Sequence, residues 1–348
     1  MLSKRYCEVN MVDQITVDKD TFDSMQKCSP FSESSGDEAI GQARFPNHLI
    51  FLESALPWPS NFVEAASIPE GVPSVVKEVA DSGQDLTVLG LVPDDDYSVE
   101  GFRHVIRWSR PEGLFSGFEK DDYLVPEAEV AGLIRALQLD TDDLQKFDSF
   151  KNETAGNREF FICTHGARDA CCGTFGFPAY QKLRTQFADE STRVWRTSHT
   201  GGHRFAPNVL EYPVGIYWAW VTGDSLKNAV NREGDVNDLY KQMRGWAGAG
   251  RLEQVVEREI FMIEGWKWLN YAKRGTTYAG GETYASPAWL HAIDDADVEI
   301  QFASPDGSEK GTYKAHLEYT GDAPFGGCGK ALGFERQFKV TSLEKTSN

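Results

Sequence analysis

Apolar and polar positions alternate along the chain in two successive series. Leu49-Ile-Phe-Leu52 is a short apolar run that predicts a buried strand, and Ser74 to Ala80 predicts a short helix. Leu86 to Val92 and His104 to Trp108 predict further strands, and Pro126 to Leu137 a helix. A polar stretch from Asp140 to Arg158 follows, after which a similar order begins again. Phe160 to Ile162, Arg193 to Thr197 and Val214 to Val221 read as strands, with helices over Pro178 to Phe187 and Asp224 to Val230. Past Asp235 the apolar spacing of Leu252, Val255, Val256, Ile260 and Ile263 predicts a helix over Arg251 to Trp266. Val298 to Phe302, Tyr313 to Tyr319 and Phe334 to Val340 then alternate like antiparallel strands.

Each half thus reads as strand, helix, strands, helix, the order of a thioredoxin-like unit. The expected class is α/β, with four segments along the chain. Residues 1–44 are polar and irregular, Ser29 to Gly36 reading as loop; 45–150 form a first thioredoxin-like module; 151–235 form a second; 236–348 form a helical and β-rich region. The repeat rests on element order alone.

Composition narrows the function classes. The 348 residues carry 53 Asp+Glu against 35 Lys+Arg, a net charge of −18, which argues against wrapping nucleic acid. No apolar run approaches the roughly 20 residues of a membrane helix, and Met1 to Asp13 does not resemble a secretory signal. The six cysteines (Cys7, Cys28, Cys163, Cys171, Cys172 and Cys328) are too few and too uneven for a disulfide scaffold. Three of them fall within ten residues, which points to reduced thiols and a reducing, cytoplasmic setting.

Two segments carry the chemistry: Cys163-Thr-His-Gly-Ala-Arg-Asp-Ala-Cys-Cys-Gly173 and Ser198-His-Thr-Gly-Gly-His203. Each follows a predicted strand. His199 and His203 have i, i+4 spacing, but the intervening Gly201-Gly202 favours a loop wrapped closely around something over a helix. Two thiols and two imidazoles suit zinc or an iron–sulfur cluster. Structural zinc usually pairs cysteines at C-x2–4-C, and the eight-residue gap here is wider. Cluster, zinc and thiol redox chemistry all stay open on spacing alone.

Together with Val194-Trp-Arg-Thr-Ser-His-Thr-Gly-Gly-His-Arg-Phe-Ala-Pro-Asn208, the cysteine motif resembles the sucrase/ferredoxin-like family. The likeness is dense from about Phe160 to Val221 and looser at Cys28-Ser-Pro, Pro57-Trp-Pro59 and Gly326-Gly-Cys-Gly329. It implies a thioredoxin-fold [2Fe–2S] ferredoxin whose cluster is held by Cys163, Cys172, His199 and His203. The resemblance aligns Cys172, the cysteine preceding Gly173, with the ligand position and not Cys171. Leu52 stands roughly where Cys163 stands in the second half, so the first module is expected to lack a cluster.

The expected function is one-electron transfer at a moderate, pH-dependent potential, in exchange with a redox protein or a small reductant. An electron carrier is favoured over an enzyme with its own substrate. The rival readings are a thiol oxidoreductase using Cys171 or Cys172 and a zinc-stabilised binding module. Around the ligands, Gly201 and Gly202 are expected to let the backbone approach the cofactor. Arg204 is expected to act as a fixed cation, Arg168 and Asp169 as a loop-shaping pair, and His165 as a loop residue bonded to backbone. Cys328 reads as an isolated thiol, and Trp195, Trp218 and Trp220 as core. Between Ser191 and Leu210 there is no acidic residue, while Arg193, Arg196 and Arg204 accompany the histidines, so a locally cationic loop is expected on an acidic body.

Overall fold

The computed structural model describes residues 27–154, 156–280, 282–284 and 293–347; Met1 to Asp13, with Cys7, and His291 lie outside them. The chain enters through a short helix, α1 (Cys28–Ser34). A first series follows: β1 (His48–Glu53), α2 (Val72–Asp81), β2 (Leu86–Leu91), β3 (Phe102–Ser109), β4 (Glu119–Pro126) and α3 (Val130–Gln138). The second series is β5 (Arg158–Cys163), α4 (Ala170–Gln186), β6 (Thr192–Thr197), β7 (Val209–Tyr212), β8 (Ile216–Trp218) and α5 (Gly223–Asn231). Then come β9 (Met243–Trp246), α6 (Arg251–Glu264), β10 (Ala272–Ala279), β11 (Glu282–Tyr284), β12 (Asp295–Ala303), β13 (Lys310–Phe325) and β14 (Gly333–Ser347).

Among the described residues these strands make two sheets, a nine-stranded one in the order β4-β3-β1-β2-β6-β5-β7-β8-β9 and a five-stranded one in the order β11-β10-β12-β13-β14. Within the large sheet the two series repeat one pattern. β1 runs parallel to β2 and antiparallel to β3, which pairs antiparallel with β4. β5 likewise runs parallel to β6 and antiparallel to β7, which pairs antiparallel with β8. The halves join where β2 meets β6 antiparallel at Leu91 and Thr197, the last residue of each strand. Counting along the paired registers, Cys163 corresponds to Glu53 and not to Leu52, a correction of one position. Phe51 and Phe161, also equivalent in this count, stack with ring centroids 3.8 Å apart in one hydrophobic core that spans both halves.

Four local expectations change. The predicted loop over Ser29 to Gly36 begins as helix α1, with Pro30 in the first turn, where its missing N–H costs no hydrogen bond. Strand β4 was hidden by its polar start: Lys120 and Asp122 are buried because Glu159 and Arg193 of the second half pair with them. The strand expected over Val214 to Val221 is only β8, preceded by β7 beyond a sharp turn. Most consequential, α4 starts at Ala170, eight residues before Pro178. Its first turn therefore contains both Cys171 and Cys172. Gly173, Gly176 and Pro178 lower helix propensity, but the cap and packing described below outweigh them. No described helix is long and apolar enough to cross a membrane.

Candidate metal centre

β5 ends at Cys163, which is buried, with its amide bonded to the Asn208 carbonyl. The following loop turns into α4 at Asp169, whose carboxylate accepts from the Cys171 N–H at 2.9 Å and so caps the helix. This cap fixes the first turn and directs the sulfurs of Cys171 and Cys172 to two different neighbourhoods.

Cys172 faces Cys163 and His199. His199 Nδ1 lies 3.6 Å from the Cys172 sulfur and 4.0 Å from that of Cys163, and these three donors are close enough together to share a metal ion. Both sulfurs are buried, whereas His199 is partly exposed, so the imidazole forms the solvent side. A hydrogen bond with Cys172 and the nearby His199 lower the Cys163 thiol well below its ordinary value, against burial. The same contact with Cys163, together with burial, raises Cys172. One thiolate is thus favoured in the pair, the form that binds metal.

His203, the fourth expected ligand, lies next to this group but faces another. Its ring centroid is 5.9 Å from that of His199, while its Nδ1 lies 3.2 Å from the sulfur of Cys28 and 3.3 Å from Asp169 Oδ2. Burial first of all, with Arg204 and Lys330 nearby, pushes its pKa down to about 4, so the ring is neutral at pH 7. Thr200, between the histidines, is fully buried, and its hydroxyl has no partner among the described residues.

The loop backbone explains the two glycines. Gly201 and Gly202 have φ of +83° and +61°, and a Cβ on Gly202 would lie 2.7 Å from the Arg244 guanidinium. They bring the loop against Arg44 and Arg244; no direct approach to a cofactor is needed to explain them. Arg204 is buried and paired with Asp37 at 2.7 Å and Glu335 at 3.3 Å, so its charge is already answered. Arg193 is similarly held by Asp122 and Glu159. The expected cationic loop is therefore largely neutralised by carboxylates distant in sequence. Only Arg196 of the three has no carboxylate partner among the described residues, its guanidinium lying over Phe177 and Tyr180. Arg168 is exposed and reaches Ser60, while Asp169 caps α4, so these two do not pair. His165 is a loop residue bonded to backbone, its Nε2 donating to the Pro59 carbonyl at 2.8 Å and its ring edge-on to Trp58.

Sequence reasoning missed a second group entirely. Cys171 Sγ lies 3.6 Å from Cys28 Sγ and 3.3 Å from Cys328 Sγ, and these last two are 3.7 Å apart. Asp169 Oδ1 stands 3.6 Å from Cys28 Sγ. Cys328, which reads as an isolated thiol, sits in the turn between β13 and β14, and that hairpin carries it to α1 and α4. The only signal in the chain was the looser resemblance at Cys28 and Cys328, and nothing local connects positions 300 residues apart.

Comparison with known proteins agrees with the motif. The sucrase/ferredoxin-like family profile matches residues 40–245, more than half of the chain. A curated relative, Altered inheritance of mitochondria protein 32 of Meyerozyma guilliermondii, is 28% identical over 100 residues, covering 26% of this chain and 35% of that protein. The match thus spans about a third of that relative's length. No solved structure matches. With the profile spanning both strand series and Cys163, Cys171, Cys172, His199 and His203, the chain belongs to the sucrase/ferredoxin-like family.

Proposed function

We propose that the chain is a one-electron carrier in which Cys163, Cys172, His199 and His203 hold a [2Fe–2S] cluster. The observation that carries the reading is the convergence of two buried thiols, Cys163 and Cys172, with the partly exposed His199, the His203 ring lying 5.9 Å from that of His199. The donors fit the group in kind: two thiols and an imidazole with their donor atoms within 4.8 Å of one another, and a second imidazole beside them. The set formed by Cys163, Cys172 and His199 is compact, and His203 extends it, a wider span that suits two bridged irons better than one ion. Such a group takes up and returns one electron; with two neutral imidazoles in place of two thiolates, its potential falls between about −150 and +300 mV, not near about −400 mV.

The chain's own residues set the conditions. Burial of Cys163 and Cys172 shields the thiol side from water, and the histidine edge is the exposed route for an electron. Asp169 Oδ2, 3.3 Å from His203 Nδ1, orients that ring and leaves Nε2 as its free donor. We read the two strand series as related thioredoxin-like units, 45–150 without ligands and 151–235 with them, followed by the β-rich region 236–348. The electron partner is a redox protein or a small reductant in a reducing, cytoplasmic compartment. Burial weighs against the thiol-nucleophile alternative: Cys171 and Cys172 are both fully enclosed among the described residues.

Anaerobic purification tests the reading. A reddish-brown protein with absorbance above about 400 nm and about two irons per chain is expected, lost in Cys163→Ala and His199→Ala. An iron-free, colourless protein after expression in iron-replete medium overturns it.

A further inference from the structure

We infer that Cys28, Cys171, Cys328 and Asp169 form a second metal site, separate from the first, that takes a single thiophilic divalent ion such as zinc in a closed tetrahedral shell. The geometry carries the inference. A tetrahedral ion with Zn–S bonds of about 2.3 Å holds its sulfurs about 3.8 Å apart. The three sulfurs here are separated by 3.6, 3.3 and 3.7 Å. One Asp169 carboxylate oxygen joins them, all four donor atoms lying within 4.8 Å of one another. Asp169 Oδ1 is 3.6 Å from Cys28 Sγ, so one carboxylate can close the fourth corner.

The surroundings are those of bound thiolates. The Ser29 N–H points at Cys171 Sγ at 3.4 Å, and the Cys28 N–H at Cys328 Sγ at 3.5 Å. The Cys171 and Cys328 N–H groups both donate to Asp169, at 2.9 and 3.2 Å. His203 Nδ1, beside the same carboxylate, is an outer partner of the kind that orients a ligand. Four backbone amides and an imidazole thus face three sulfurs and a carboxylate, an arrangement that stabilises negative charge where Cys28, Cys171 and Asp169 are buried and Cys328 forms the partly exposed edge. Cys28 and Cys171 are buried, leaving no open coordination position of the sort a catalytic ion keeps.

The donors also come from three distant parts of the chain: α1, the first turn of α4 and the tip of the β13–β14 hairpin. An ion there ties the N-terminal segment and the C-terminal sheet to the helix that carries Cys172. Adjacent Cys171 and Cys172 serve different sites, which accounts for the doubled cysteine.

Metal content of the full chain, measured with wild type and two variants outside the first ligand set, tests this independently of the proposed function. The wild type is expected to retain about one zinc per chain after dialysis, and Cys28→Ala and Cys328→Ala to retain it at least about tenfold less strongly in a chelator competition. Cobalt loaded in place of zinc is expected to show the visible bands of a tetrahedral thiolate site, absent in both variants. Any iron and its absorbance are expected to be unchanged in Cys328→Ala, whereas Cys28 touches His203 and is read for zinc alone; whether iron is present decides the proposed function, not this site. Cys328→Asp, which keeps a ligand at the exposed hairpin tip, is expected to recover part of the affinity. Zinc absent from the wild type, a Cys171–Cys328 disulfide in protein freshly purified in the presence of a thiol reductant, or loss of iron on Cys328→Ala overturns the inference.

Discussion

The bare α-carbon of Gly176 rests against the carbonyl of Cys163: a Cβ there would lie 1.9 Å from that oxygen. This contact sets the distance between the end of β5 and the first turns of α4, and with it the approach of Cys172 to Cys163. Gly176→Ala must push the helix outward, so a destabilisation of about 1–3 kcal/mol, the usual cost of overpacking, is expected. Metal at Cys163 and Cys172 is expected to fall further than stability does. Thermal melting of the metal-free chain beside iron content of the purified variant separates the two effects.

Replacing one imidazole by a thiolate adds negative charge at the first centre. His199→Cys is expected to keep the visible chromophore and to lower its midpoint potential toward the plant-type value of about −400 mV. With the proposed histidine ligation, a ligand imidazole would lose its second proton more readily when the centre is oxidised. The midpoint is therefore expected to fall as pH rises on the alkaline side. Potentiometry over a pH series reads both; a midpoint near the plant-type value and independent of pH would count against histidine ligation.

Asp122 is a buried anion shared by the two strand series, held by Arg193, Lys120 and His104. Burial raises its carboxyl, but these partners outweigh it and hold the pKa below the ordinary 3.8. A carboxyl lowered in this way adds stability above pH 4 and surrenders it as the pH falls below that value. Asp122→Asn leaves Arg193 and Lys120 with one counter-charge fewer in the interior. A loss of about 3 kcal/mol at pH 7 is expected, shrinking toward acid, in denaturant melts run at several pH values.

Asp37 behaves oppositely. Burial pushes its carboxyl up to about 6, despite the ion pair with Arg204. Between pH 4 and 6 the folded chain keeps a proton that the unfolded chain releases, so this group makes stability fall as pH rises through that window. Asp37→Asn is expected to remove that slope. Comparing the pH dependence of unfolding in the variant and the wild type reads the difference directly.

Most of the helices and strands were legible because their periodicity is local. The run Leu49 to Leu52 and the spacing Leu252, Val255, Val256 need only neighbours along the chain to declare themselves. β4 was not legible, because Lys120 and Asp122 look solvent-facing until Glu159 and Arg193 are brought against them. The expected helix began only at Pro178, and Gly173 and Gly176 give its true first turns low intrinsic propensity. Their use is close packing on β5, which no propensity reveals.

The same division runs through the candidate site. The sequence by itself determined the family motif, the two cysteines and two histidines placed after strands, and the glycine loop between the histidines, all short-range features. Only the tertiary structure decided that both strand series share one sheet, that His203 turns its Nδ1 toward Asp169, and that Arg204 is neutralised by Asp37 and Glu335. It alone gathered Cys28, Cys171 and Cys328 into one group. The reason is physical: the three cysteines lie some 140 to 300 positions apart, and packing of the core, not the pattern of neighbours, brings them together.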